Sequence, residues 1–489
     1  MSINRRITLC FVAAISLLLC QCGEDEGGGG GATGGTTVTG TGGTAAGGIG
    51  GSGADGGNGT GATGGTGGTG GSPACQQLPP TFADGKSPTS TLYVDGNASS
   101  GGDGSTANPF DTLAAAQGAV TPGTEIIVRN EVVNDAQLTF VGTDQAPIWI
   151  RGDTGAKLRG GSAPALRLVN TSYLVVEDLE LYESPNHVLH FDHSDYLVFR
   201  RLHVHRAVTA CLKGSQTTHL YVEDCDFHGA AELPGGNPLS TQVFDLVGVN
   251  EGHVVRSEFH DGDNVMVMLK GGTSDLLFAF NEIYDQHDTG QSALHVGQAT
   301  GPQYFQPSDA AYEGIRIVAY ANFIHDVSGP FFAFQGCQDC AGVHNTMSGS
   351  DGGQLVRYLP GAAGIDSGQT TSINEGCRFT GNIVVGGRTD GASLNADAQN
   401  VGTGNGLDHN IWLKPPPLNW WSPLDQETAT STYDQDPEVG TDGTPANATL
   451  VQQAGPTDLA GIAFSSYFTQ DLHGTCVTSP MDIGAIEVP

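Results

Sequence analysis

The chain has 489 residues and a formal net charge of −33, with 74 glycines and 10 cysteines. A surface this acidic repels nucleic acid and anionic polymers alike, so no nucleic-acid partner is expected. An anionic ligand would need local basic residues or bound cations.

At the amino end, Arg5 and Arg6 precede a 13-residue apolar run, Ile7–Leu19. These are the n-region and h-region of an export signal. The run is shorter than the roughly 20 residues needed to span a bilayer. Cys20-Gln21-Cys22 follows at once. A cysteine there resembles a lipidation site, with Cys22 preferred and Cys20 the alternative. Residues 1–22 are read as a lipoprotein-type signal segment and 23–80 as a disordered Gly/Thr/Ser-rich linker. Residues 90–415 are read as the main domain and 416–489 as a C-terminal capping segment. The expected product is exported: an outer-membrane or cell-surface lipoprotein, otherwise extracellular. It should be monomeric and touch the membrane only through its lipid anchor. Export permits disulfides. The cysteines left for them are Cys75, Cys211, Cys225, Cys337, Cys340, Cys377 and Cys476, an odd number.

The main domain opens on Thr91-Leu92-Tyr93-Val94-Asp95-Gly96. Asn108 and Pro109 are then placed as N-cap and first residue of a capping helix over Asp111–Val120. Such a helix would cover the open edge of the first strands. Ile126-Ile127-Val128 begins a long series of short apolar strands.

From residue 174 a short pattern repeats. Each strand is followed by one ladder residue and, two places later, an apolar residue. The ladder residues are Leu179, Leu202, Cys225, Ser257, Asn281, Asn322, Asn345, Asn382 and Asn410, with a minimum spacing of 23. Period-2 alternation within each segment indicates strands. Five successive asparagines predict a stack of buried side-chain amides, each satisfying the next. Gly214, Gly248, Gly271, Gly297 and Gly336 suggest a second column, at a turn between two strands of one coil. Cys340 and Cys377 each lie five residues before a ladder asparagine, so they occupy equivalent places on adjacent coils. A Cys340–Cys377 disulfide is expected there, with Cys337 as a competing partner.

The Tyr-Val-Asp-Gly opening, the Asn-Pro-Phe segment, the Asn-x-Ile coils and the closing Met481-Asp482-Ile483-Gly484-Ala485-Ile486-Glu487 resemble bacterial parallel β-helix proteins of the pectate-lyase-like superfamily. The resemblance covers about residues 90–489. It implies an all-β, right-handed parallel β-helix. It also implies polysaccharide chemistry, because that superfamily includes lyases, hydrolases, epimerases and adhesins.

Candidate chemistry follows from the columns. Insertions on successive coils hold Glu232–Ser240, Gln298–Tyr312 and Pro360–Glu375, and Tyr304 and Phe305 are candidates for stacking on sugar rings. Outward places after the ladder read Glu180, His203, Asp226, Glu258 and Glu282. Carboxylates stacked ~4.8 Å apart must bind a cation, be paired or have raised pKa values. Asp226, Glu258 and Glu282, with Asp261 and Asp263, are therefore candidate calcium ligands. Two columns beside them, Glu177-Asp178, Arg200-Arg201 and Glu223-Asp224 on one side and Tyr182, His205, His228, His260, Tyr284 and His325 on the other, read as structural. Lys213 and Lys270 are taken as equivalent outward residues, with Arg357 on the same face. Lys270 is the candidate base for β-elimination, and Lys213 and Arg357 join it as candidate catalytic residues. His295 is expected to point inward, and Trp420-Trp421 to cover the last coil. The chain reads as a surface-anchored polysaccharide lyase acting on an acidic polysaccharide. The alternative is a β-helix surface protein that binds glycan, or serves as an adhesin, without catalysis.

Overall fold

The computed structural model describes residues 75, 78–230, 232–235, 241–287, 290–387, 392–396, 398–414, 425–427, 430–477 and 480–488. All of these belong to the unit Ala74–Pro489. The signal segment with Cys20 and Cys22, most of the linker and Trp420-Trp421 lie outside the described residues.

Each coil contributes up to three short strands. One full coil runs Glu180–Ser184, His187–Asp192 and Asp195–Arg200, and each strand pairs in parallel with its counterpart on the next coil. Strands of the first kind form a 12-stranded sheet, here the first sheet. The second and third kinds merge into one 23-stranded sheet. They merge because Ala210–Glu223 and Gln242–Val255 run from one face to the next without a break. Its two faces are called the second and third sheets below. Alternation places one side of every strand in a single continuous core, from Val94 through Leu212, Phe244 and Val267 to Trp412.

The corner between the third and first sheets repeats one solution. A residue in the left-handed region, such as Arg201 (φ 51°), Arg256 (φ 52°) or His344 (φ 52°), is followed by the ladder residue. A non-glycine residue there costs about 1–2 kcal/mol. The ladder offsets this. The Oδ1 of Asn322 accepts from the backbone N–H of Asn281 at 3.0 Å and from its Nδ2 at 3.1 Å. The same pair of bonds joins Asn322 to Asn345, Asn345 to Asn382 and Asn382 to Asn410. Ser257 and Cys225 hold the same column in earlier coils, where the N–H of Cys225 donates to Ser257 Oγ at 3.1 Å. The five asparagines are neighbours in the order the sequence predicts.

Several expectations change. The capping helix spans only Leu113–Gln117, and its N-cap is Thr112, whose hydroxyl accepts from Ala115 N–H at 3.1 Å. Asn108 lies too early to cap it. The glycine column holds at Gly248, Gly271 and Gly336, whose φ values are 62°, 64° and 65°, while Gly297 stands one residue earlier, in register with Gln335. Gly214 instead pairs with Leu246 inside a strand. The solenoid runs one rung past residue 415, because Asp425–Glu427 and Thr432–Tyr433 pair with Gly406–Asp408 and Ile411–Trp412. The C-terminal segment does not simply cap the end. Ile462, Phe468, Ala485 and Ile486 pack sideways on Val255, Leu277, Val318 and Val343 of the third sheet. That outward row is apolar and must be covered. Phe82 and Ala83, near the start of the unit, cover Trp149, Val175 and Val198 on earlier coils of the same face.

The disulfide joins Cys75 to Cys476, with Cα atoms 5.4 Å apart. Cys340 and Cys377 are free, buried thiols, although the register does place them on adjacent coils as the spacing predicts, since Ala341 pairs with Arg378. The Cys340 thiol lies close enough to the Ile317 N–H (3.4 Å) to take it as a partner. The charge column forms as read: Arg201 bridges Asp178 at 2.6 Å and Glu177 at 3.0 Å, and Arg256 bridges Asp224 at 2.7 Å.

Candidate functional site

The outer face of the second sheet gathers most of the candidate chemistry. One outward row can be followed strand by strand: Arg167, His190, Lys213, Asp245, Met268, His295, Ala333 and Arg357. Neighbours in such a row sit ~4.8 Å apart. The row exists because Leu166, Leu168, Leu189, Phe191, Leu212, Phe244 and their counterparts alternate with it and fill the core. Along the chain, insertions precede the strand that starts at Gln242 and follow the one that ends at Gly297.

Lys213 and Arg357 stand on this row as expected. Lys270 does not: it pairs with Val247, which pairs with Ser215, so it lies two residues along from Lys213. The two lysines nevertheless meet. Both ammonium groups approach the Asp245 carboxylate, Lys213 in a direct ion pair and Lys270 at 3.5 Å. Burial works to raise the Asp245 pKa, and the two lysines outweigh it, holding the carboxyl below its usual range.

This geometry argues against Lys270 as a base. Its side chain is 8% exposed, it donates to Gln298 Oε1 at 2.8 Å, and it faces a carboxylate that favours its charged form. His295 also departs from expectation. It is in register with Met268 and Ala333 on the outward row, yet it is buried, as is Met268 beside it. Its Nε2 lies 2.8 Å from Gln335 Oε1, and burial, then Arg357 and Lys270, pull its pKa down to about 4.

The early half of the row is more open. Arg167, His187, His190 and Lys213 are all half-buried. Burial, helped by the cations Arg167 and Lys213, holds His190 at a pKa of about 4. His187, in edge contact with His190 at 5.3 Å, falls to about 3 through burial and then the neighbouring His190 and Lys213. Both imidazoles are neutral at pH 7. Among the described arginines, only Arg167 and Arg357 have no carboxylate within ion-pair distance, and the Nε of Arg167 is buried without a hydrogen-bond partner. Sequence reasoning missed Arg167, His187 and His190 because they lie on coils with few insertions. The signal was the alternation of Leu166-Arg167-Leu168 and Leu189-His190-Phe191, which puts a cation or imidazole outward on each strand.

Phe305 is 2% exposed and serves as packing, so it offers no face to a sugar. Tyr304 beside it is half-buried.

The acidic column on the first sheet is paired with rings. Glu180 meets His205 at 3.2 Å, Asp226 meets His260 at 3.0 Å, Glu282 meets His325 at 2.9 Å, and Glu258 accepts from the Tyr284 hydroxyl at 3.2 Å. Each acid reaches the ring two places along on the next coil. The like-charge stacking that suggested calcium is thereby relieved within the chain. Asp261 and Asp263 lie apart from this column and flank His287, at 3.3 and 3.6 Å. Among the described residues, the five proposed calcium ligands do not converge as one oxygen site.

No protein-family model matches the sequence, and no curated protein matches it. Solved structures do. Pectate lyase Pel9A superposes with a TM-score of 0.50 at 14% identity, over 83% of this chain and 98% of that one. XylC in complex with xylose superposes with a TM-score of 0.54 at 9% identity, over 82% and 98%. At such identities the likeness speaks for architecture alone, and with the parallel pairing of every coil it shows the chain to be a right-handed parallel β-helix.

Proposed function

We propose that the protein acts on an acidic polysaccharide laid along the outer face of the second sheet, as a polysaccharide lyase. The observation that carries this reading is the collection of Arg167, Lys213, Lys270 and Arg357 on one face of a chain with 52 acidic residues. Such a face offers the local positive field that a polyuronate needs to approach an otherwise repelling surface.

In β-elimination a base takes the proton at C5 of a uronate, the bond from C4 to its glycosidic oxygen breaks, and a C4–C5 double bond forms. The departing oxygen takes a proton from solvent. Arg167 and Lys213 flank His190 on the row, so a uronate carboxylate held between them would have its C5 proton facing a neutral imidazole. Neutralising that carboxylate makes the C5 proton more acidic, and the imidazole accepts it. The lysine pair around Asp245 holds charge and position; it does not take the proton. In this reading the protein works outside the cell, held by a lipid on Cys22 or Cys20.

The test is a panel of polyuronates incubated with the exported protein, with and without calcium. Cleavage is followed by absorbance near ~235 nm, where the conjugated product of elimination absorbs. His190→Ala should lower turnover by about 10²–10⁴-fold and leave binding in place. Arg167→Ala should weaken binding. A second reading, binding without cleavage, draws on the covered middle of the row at Met268 and His295. It is preferred if polyuronates bind and none is cut.

A further inference from the structure

The first sheet carries a break in its own pairing rule. Over five successive steps, the outward residue of one coil reaches the ring two places along on the next. Four of these steps join an acid to a ring: Glu180 to His205, Asp226 to His260, Glu258 to Tyr284 and Glu282 to His325. The remaining step joins a histidine to a histidine. His203 stands where the others have a carboxylate, and its Nε2 lies 2.8 Å from Nε2 of His228. His203 and His228 are in register with Glu180 and Tyr182 one and two coils earlier, so the exception lies in residue type and not in fold.

Two imidazole nitrogens this close make a hydrogen bond only when one of them alone carries a proton. With a proton on both nitrogens, two N–H groups point at each other and neither has an acceptor. Without either proton, both lone pairs point into one space. Asp226 completes the surroundings, with Oδ2 at 3.5 Å from His203 Nε2. Ligand atoms of His203, His205 and His228 all lie within 4.8 Å of one another, and so do those of Asp226, His228 and His260. His228 belongs to both groups. The rings are held by β-strand spacing: His205 stacks on His228 at 5.0 Å, and His228 on His260 at 4.7 Å. His203 and Asp226 are the exposed members, with side chains 44% and 40% accessible, so the cluster opens to solvent.

We propose that His203, His205 and His228, with Asp226 and His260 beside them, bind one divalent transition-metal ion of the zinc class. In a tetrahedral site with Zn–N of ~2.0–2.1 Å, ligand nitrogens are roughly 3.3 Å apart. The His203–His228 pair needs to open by only about half an ångström to admit an ion at that spacing. Three imidazoles with a carboxylate beside them suit a borderline-soft ion, whereas calcium requires six to eight oxygens. The site is separate from the second-sheet row and independent of the lyase reading.

The test is titration calorimetry of the full chain, stripped with chelator and freed of any affinity tag, with zinc chloride and separately with calcium chloride at pH 7.5. One zinc per chain, saturable and stabilising in thermal unfolding, is the expected result. His203→Gln keeps a hydrogen-bond acceptor for His228 but removes a ligand nitrogen, and His228→Gln removes the shared ligand. Each should raise the zinc dissociation constant by at least about tenfold while far-UV circular dichroism stays that of the wild type. His325→Gln, on the same ring column but outside the cluster, should leave zinc binding unchanged. The proposal is overturned if zinc shows no saturable binding, if calcium binds these residues as tightly, or if both cluster variants fold and still bind zinc like the wild type.

Discussion

Replacing Asn345 by leucine tests the corner that holds the coils in register. The Asn345 side chain is fully buried and makes four hydrogen bonds. It accepts from the Asn322 backbone N–H at 3.0 Å and from Asn322 Nδ2 at 2.8 Å, and it donates to Ala319 O at 3.0 Å and Asn382 Oδ1 at 2.9 Å. Asn322 Nδ2 keeps a second acceptor, Phe278 O, and Asn382 Oδ1 keeps the Asn345 backbone N–H. The Asn322 backbone N–H loses its acceptor. Four bonds at about 1 kcal/mol each set a ceiling near 4 kcal/mol, and added apolar burial returns about 1 kcal/mol. Space is not the obstacle, because leucine already occupies this column at Leu179 and Leu202. The expected net loss is roughly 2–3 kcal/mol. Urea denaturation followed by circular dichroism should show it, and hydrogen exchange should find the Asn322 amide at least about tenfold less protected. Asn410→Leu, at the last asparagine of the ladder, should cost less, because Asn410 has no further asparagine amide to donate to. If Asn345→Leu lies within about 1 kcal/mol of wild type, or the Asn322 amide keeps its protection, the amide stack is not what secures the corner.

The remaining predictions concern single buried groups. Glu313 accepts four hydrogen bonds, from Thr300 N–H (2.6 Å), Thr300 Oγ1 (2.6 Å), Gly271 N–H (2.9 Å) and Ala362 N–H (3.1 Å), while burial pushes its pKa from 4.5 up to about 7. Its folded pKa lies above the unfolded one, so its contribution is present below about pH 4.5 and lost as pH rises through about 7. Glu313→Gln should remove that part of the pH dependence and lower stability outright, because the amide NH2 must face a donor; an unchanged difference in melting temperature between acid and neutral pH would contradict this. Phe305→Ala should cost about 3–4 kcal/mol as a cavity and leave polyuronate affinity alone, which a denaturation curve and a binding isotherm measure together. Burial raises the Cys211 and Cys225 thiols, and Cys211, Cys225, Cys337, Cys340 and Cys377 are all buried, so a thiol reagent should label none in the native protein and all five after unfolding without reductant. Labelling of only three would bring back a Cys340–Cys377 bond.

Much of the fold was legible because buried amides constrain one another. An asparagine at Asn322 is useful only if Asn281 and Asn345 are its neighbours, so the column keeps both residue type and spacing. The second sheet was harder. Its strands are separated from the ladder by insertions of unequal length, and aligning them on glycines gave Lys213 and Lys270 equivalent places on their coils, whereas Lys270 lies two residues further along its strand. Whether an insertion covers a face or walls it is decided by tertiary packing, which is why Phe305 and His295 were misplaced. The disulfide lay beyond sequence reasoning because its cysteines are 401 residues apart and both belong to segments that have no repeat.

That bond has a consequence for proteolysis. Cys75 and Cys476 stand near the two ends of the unit, so nearly all of the solenoid lies inside one covalent ring. Proteases attack exposed sites such as Gly235. A single cut there opens the ring but leaves both fragments attached through the disulfide. The parallel ladders on either side still hold, and the nicked molecule remains one covalent body that separates on a gel only after reduction.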